Sequence, residues 1–227
     1  MLSNRIAVEV KLVAHPVGRA GMILLGLTKK WAYDMSSSVI ASPTVAGGVV
    51  YIGCVCGYVY ALDAASGIKK WAYSTGGSQV ADEPAVVGGV VYIGTIEGHT
   101  LYALDAASGK KKWTYQTRGA LLSSPTVVGG VVYVGSDDNT LYALDAVSGA
   151  QKWMSSIKMS TDPVLAGGLL YFGSFDGILY ALDATTGAQK WAYRDGGTID
   201  SSPEVADGMV YYGSGNGPLY AFHLPGT

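Results

Sequence analysis

Charge is scarce in this chain. Only 14% of its 227 residues are Asp, Glu, Lys or Arg, and the formal net charge is −2. The lysines are spread along the sequence with no basic block. Nucleic-acid backbones are held by clustered Lys and Arg, so nucleic acid is not an expected partner. Long apolar runs are also missing, and none approaches the roughly 20 residues that span a bilayer. At the N-terminus, Arg5, Lys11, His15 and Arg19 are strung out ahead of a short apolar stretch at 22–27. A secretory signal has a more compact basic start and a longer apolar core. Histidine is limited to His15, His99 and His223, far apart in sequence, with no Ser-His-Asp arrangement and no metal-ligand spacing. The two cysteines, Cys54 and Cys56, stand one residue apart. A disulfide across so short a span is expected to be strained, and two thiolates make half of a tetrahedral metal site. The pair therefore reads as two small residues in a turn, and no metal site is expected.

Glycine and aromatic residues are plentiful instead: 32 Gly, 16 Tyr and 5 Trp. The glycines follow no Gly-X-Y period, which excludes collagen, and the aromatics argue against disorder. Many glycines and aromatics with few charges predict short strands joined by tight turns.

Internal repetition decides the architecture. Trp recurs at Trp31, Trp71, Trp113, Trp153 and Trp191, at spacings of 40, 42, 40 and 38 residues. Tyr-Ala-Leu-Asp recurs from Tyr60, Tyr102, Tyr142 and Tyr180, with Tyr220-Ala221-Phe222-His223 as a fifth version. Gly-Gly pairs recur at 47–48, 88–89, 129–130 and 167–168, with Asp207-Gly208 in the fifth place. Each period reads as four short antiparallel strands. In the third, these are 124–128, 131–135, 140–145 and a strand from Lys152. Such a period is the signature of a propeller blade. Lys30, Lys70, Lys112, Lys152 and Lys190 each precede the Trp, where a charge on an outer strand discourages edge-to-edge pairing.

The turn before each Trp runs Ala61-Leu62-Asp63-Ala64-Ala65-Ser66-Gly67-Ile68-Lys69-Lys70-Trp71, with copies ending at Trp113, Trp153 and Trp191. It resembles the tryptophan-docking motif of the pyrroloquinoline-quinone (PQQ), or quinoprotein-type, propellers: Ala-x-Asp-x-x-x-Gly-x-x-x-Trp. The resemblance covers residues 27–223. It implies that Trp31, Trp71, Trp113, Trp153 and Trp191 dock against neighbouring blades. It also implies that Asp63, Asp105, Asp145 and Asp183 tie down the turns, together with Ser66, Ser108, Ser148 and Thr186.

The expected fold is all-β: a five-bladed propeller of four-stranded antiparallel blades spanning residues 27–227. The fifth set of inner strands has no Trp after it, so residues 27–34 are expected to supply the outer strand of the last blade. That closure places Thr227 near Leu27. Residues 1–26 form an extension. Within it, 16–26 parallels 203–213 and reads as a decayed repeat. A monomer without a membrane span is expected.

Propeller ligands sit at the mouth of the central channel, on the loops that lead into the innermost strands. Those loops precede the recurring Pro43, Pro84, Pro125, Pro163 and Pro203 and vary more than the strands do. The candidate ligand-binding residues are Asp82, Glu83, Arg118, Asp162, Arg194 and Asp200. The carboxylates suit a hard cation and the arginines an anion, although Ser and Asp before Pro also cap strand starts. Turn residues on the same face are Cys56, Glu97, Asp138, Asp176 and Asn216. No catalytic residue is assigned. The function expected is a non-catalytic binding or scaffold propeller with a protein or small-molecule partner at the mouth and no cofactor. Two alternatives stay open: a PQQ- and Ca-dependent dehydrogenase, and a propeller lectin. The resemblance implies a periplasmic or extracellular setting.

Overall fold

A computed structural model describes residues 28–121, 123–194 and 196–225. The chain divides into Met1–Ala32 and a second unit, Tyr33–Thr227, which holds all the strands found among the described residues. The strands group into five antiparallel sheets, taken as blades one to five. Blade one is β1 (Thr44–Ala46), β2 (Val49–Cys54), β3 (Tyr58–Asp63) and β4 (Lys69–Ser74). Blade two is β5 (Ala85–Val87), β6 (Val90–Gly94), β7 (Thr100–Asp105) and β8 (Lys111–Gln116). Blade three is β9 (Thr126–Val128), β10 (Val131–Ser136), β11 (Thr140–Asp145) and β12 (Gln151–Ser155). Blade four is β13 (Val164–Ala166), β14 (Leu169–Gly173), β15 (Ile178–Asp183) and β16 (Gln189–Arg194). Blade five is β17 (Glu204–Ala206), β18 (Met209–Gly213) and β19 (Leu219–His223).

The hairpin between the first two strands of each blade needs positive φ at both turn residues. Gly47 and Gly48 supply 55° and 74°, and Asp207 with Gly208 supplies 49° and 75° in blade five. The second strand of each complete blade is buried on both faces, as Val91, Tyr92 and Ile93 show. The outer strands alternate, with Trp71 buried between exposed Lys70 and Ala72. The core is a series of clusters between neighbouring blades rather than one central mass. One joins Tyr51, Val59 and Trp71 of blade one to Val91, Ile93 and Leu104 of blade two. Similar clusters join blades two to three, three to four and four to five.

Three of the five tryptophans bond to the blade that follows. Trp71 Nε1 donates to the Ala106 carbonyl at 2.9 Å, Trp113 to Ala146 at 3.1 Å and Trp153 to Ala184 at 3.0 Å. The hydroxyls of Tyr51, Tyr92 and Tyr133 donate to the same three carbonyls. The motif aspartates organise the turn that presents each carbonyl. Asp145 Oδ1 accepts from the Ser148 N–H and hydroxyl, both at 2.9 Å, and from the Val147 N–H at 3.1 Å. The Ser148 hydrogen bonds and the Lys152 ammonium hold its carboxyl down to about 2. Asp63, Asp105 and Asp183 make the equivalent bonds. The lysine before each docked Trp reaches back to this aspartate, Lys152 to Asp145 at 3.2 Å. It is therefore part of the docking turn as well as a charge on an outer strand.

Two expectations change. Among the described residues blade five has three strands, and residues 28–34 form no strand. Tyr33 packs on Tyr60 of blade one with ring centroids 5.7 Å apart. Trp191 is half-buried and, among the described residues, does not repeat the indole-to-carbonyl bond. Where other copies read Asp-Ala, the turn after β19 begins His223-Leu224. Trp31 belongs to the N-terminal unit. The decayed-repeat segment, Leu27 and Thr227 lie outside the described residues.

Candidate functional site

The innermost strands lie side by side, β1 by β5, β5 by β9 and β13 by β17, and bring the segments before the prolines together. Side chains stitch these segments from blade to blade. Thr44 Oγ1 donates to the Pro84 carbonyl and lies 3.2 Å from Glu83 Oε1. The Asp162 N–H donates to Ser202 Oγ at 3.1 Å, and Ser160 Oγ to the Ile199 carbonyl at 2.5 Å.

The residue two before each proline has a defined local task in three blades. Ser123, Thr161 and Ser201 accept a hydrogen bond from the Gly135, Gly173 and Gly213 N–H of their own second strand, at 3.0, 2.9 and 2.9 Å. Capping by hydroxyls, one reading of these positions, therefore holds there. Blade two carries Asp82 at this place, a carboxylate on the same half-buried surface. Burial raises its pKa to about 6, and the charge of Asp162 from blade four adds to the rise. Asp162 is itself raised by burial, against the lowering effect of a Ser124 backbone hydrogen bond and with a further rise from Glu83. Asp82, Glu83 and Asp162 thus share one electrostatic neighbourhood.

The other three candidates have local contacts of their own. The Arg118 N–H donates to Asp138 Oδ2 at 3.1 Å, and its side chain is exposed. Arg194 pairs with Asp176 at 3.5 Å. Asp200 is exposed and accepts from Thr198 Oγ1 at 2.7 Å. The turn acids explain why: they anchor the mouth loops. Glu97 accepts from the Gln79 N–H and side-chain amide at 2.8 and 2.5 Å, as Asp138 and Asp176 hold Arg118 and Arg194.

Cys54 and Cys56 belong to the same set of turns. They form a disulfide, with Cα atoms 5.1 Å apart. Cys54 takes the place of Ser174 and Cys56 that of Asp176, and in blade four Ser174 Oγ donates to Asp176 Oδ1. Blade one closes with a covalent bond the same i to i+2 clasp that blade four closes with a hydrogen bond. The reading of two small turn residues is corrected in this respect: the hairpin reversal after β2 brings the sulfurs together. The clasped turn supports the mouth, because the Val55 N–H donates to the Ser38 carbonyl and the Thr75 N–H to that of Gly57.

Among the described residues, no three His, Cys, Asp or Glu side chains are grouped to hold a metal ion, and no helix is long and apolar enough to cross a membrane. The repeated aromatics that could stack sugars are buried between blades: Tyr51, Tyr92, Tyr133, Trp71, Trp113 and Trp153.

Comparison with known proteins places this architecture. A family model described as outer membrane protein assembly factor BamB matches residues 28–98, 57–158 and 148–224. No curated protein matches the chain. The crystal structure of BamB from Moraxella catarrhalis is similar at a TM-score of 0.72 and 25% identity, covering 86% of this chain. Quinohemoprotein alcohol dehydrogenases from Pseudomonas putida HK5 and Comamonas testosteroni are similar at a TM-score of 0.69, with 22% and 20% identity over 84% and 82% of this chain. The chain spans 61% of that BamB chain and 41% of each dehydrogenase.

Proposed function

We propose a non-catalytic binding role for this chain, which belongs to the family described as outer membrane protein assembly factor BamB. Its PQQ-like repeats build a propeller scaffold, and the partner we assign is a protein segment that offers a basic side chain to the mouth. The observation that carries this reading is Asp82. Its place is filled by strand-capping hydroxyls in three blades, whereas in blade two it holds a carboxyl whose pKa is raised by burial and by Asp162. The cost of burying that charge beside Asp162 falls when a cation approaches, which makes the pair a receptor for Lys or Arg. Likeness to an assembly factor supports a protein partner, and a periplasmic or outer-membrane setting is proposed on the same ground.

The dehydrogenase reading fits these residues poorly. PQQ is an anionic quinone, and the shared neighbourhood of Asp82, Glu83 and Asp162 repels it. Arg118 and Arg194, which would attract it, belong to loops tied to Asp138 and Asp176. Thermal denaturation separates the readings, because a ligand that binds the native state raises its stability. A short arginine-containing peptide is expected to raise the midpoint at low salt, and PQQ with Ca²⁺ to leave it unchanged. The reverse pattern overturns the proposal.

A further inference from the structure

We infer that the cavity between blades four and five binds a small apolar molecule carrying an amide-type carbonyl, whose oxygen accepts from the Tyr171 hydroxyl. The cavity shares no lining residue with the mouth, and the inference does not rest on the role proposed there.

The three earlier junctions are each closed by one carbonyl. The hydroxyls of Tyr51, Tyr92 and Tyr133 donate to the Ala106, Ala146 and Ala184 carbonyls at 3.2, 3.0 and 3.1 Å. Tyr171 holds the same place in blade four. It is 5% exposed, and its hydroxyl has no hydrogen-bond partner. A buried hydroxyl left unpaired is costly and rare in native folds. Burial raises its pKa, so it keeps its proton and stays a donor.

The turn of blade five starts as the others do and then departs. The Leu224 N–H donates to the Gly208 carbonyl at 2.8 Å, as those of Ala106, Ala146 and Ala184 do to Gly89, Gly130 and Gly168. But His223 stands where Asp145 gathers its turn, and Pro225, at the place of Val147, has no N–H to give. No carbonyl reaches Tyr171. The Trp191 ring packs on Phe222 with centroids 5.1 Å apart, whereas Trp71, Trp113 and Trp153 pack on Tyr51, Tyr92 and Tyr133. A cavity of about 350 Å³ is left, walled by Leu169, Tyr171, Leu179, Trp191, Val210 and Phe222. His223 and Pro225 border it, so the turn edges this space without filling it.

The volume is that of a small-molecule site. Its walls are apolar, with one buried donor whose counterparts all bond an amide oxygen. A ligand with an apolar body and one such oxygen meets both demands. Exposed Lys190 is already paired with Asp183 at 3.6 Å, so a neutral carbonyl suits the site better than a carboxylate.

The test uses acetanilide, an apolar ring with one amide carbonyl, titrated calorimetrically into the full chain and into Tyr171→Phe. The variant keeps the ring and removes the donor, and should bind about fivefold more weakly. Thermal midpoints without acetanilide supply the second readout. Tyr171→Phe should stay within about 1 °C of wild type, whereas Tyr133→Phe, which removes a formed bond, should lose about 2–4 °C. A Tyr171→Phe midpoint as low as that of Tyr133→Phe overturns the inference, because the hydroxyl would then already have an acceptor, in the chain or in another copy of it. No binding by the wild type, or equal affinity in wild type and Tyr171→Phe, overturns it equally.

Discussion

The indole N–H of Trp113 and the hydroxyl of Tyr92 converge on one acceptor, the Ala146 carbonyl, at 3.1 and 3.0 Å. Two buried donors of one blade are satisfied by the docking turn of the next, so each blade is a poor structure without its neighbour. The turn must come close. A Cβ on Gly149, whose φ is +74°, would lie 2.6 Å from the Trp113 ring.

Replacing Trp113 with Phe keeps an aromatic ring but removes the donor, and is expected to cost about 1–2 kcal/mol. Gly149→Ala should cost more than about 1 kcal/mol, since it adds a clash with Trp113 to a left-handed backbone. Urea denaturation measures both. A Gly149→Ala chain as stable as wild type would show that the turn is not held against the indole.

Asp82 gives a pH dependence with a definite sign. Its folded pKa of about 6 lies above the unfolded value near 3.8, so the folded state holds the proton more tightly. The stability linked to this proton is present below about pH 4 and is lost as pH rises through 6. Asp82→Asn should therefore stabilise the chain at pH 7.5, by about 1–2 kcal/mol after allowance for solvent screening, and make little difference at pH 4. Thermal midpoints of both proteins at the two pH values check the sign.

The Cys54–Cys56 disulfide closes a very short loop, so its chain-entropy contribution is small, under about 2 kcal/mol. Intact mass should rise by two hydrogens on reduction. The double variant Cys54→Ser with Cys56→Asp copies the Ser174–Asp176 clasp and is expected to fold with a midpoint within a few degrees of wild type. Free thiols in the unreduced, denatured protein would contradict the covalent clasp.

Much of this frame could be read before the structure was seen. Regular Trp spacing, Gly-Gly turns and the docking motif depend on local chemistry that repeats, and β11 runs over the predicted 140–145. The site was legible in part. Asp82, Glu83 and Asp162 come together because the pre-proline segments converge, which the repeat implies. The partners of the Arg118 N–H and of the Arg194 side chain, Asp138 and Asp176, lie in turns about 20 residues away, and spacing alone does not reveal such pairings. Asp82 could have been singled out by aligning Ala41, Asp82, Ser123, Thr161 and Ser201, where it is the one acid among small and hydroxyl residues. The disulfide was hidden because a one-residue separation says nothing of a hairpin reversal. That residues 28–34 form no strand is not legible either, because a matching strand sequence does not by itself fix a pairing.

Calorimetric titration of the arginine-containing peptide into wild type and into the Asp82→Asn, Asp162→Asn double variant tests the acidic mouth most directly. The expected result is binding that weakens with salt in the wild type and is reduced at least about tenfold in the variant, as loss of a partly buried charge pair requires. Equal affinity for the two proteins would contradict the assignment of the mouth as the binding site.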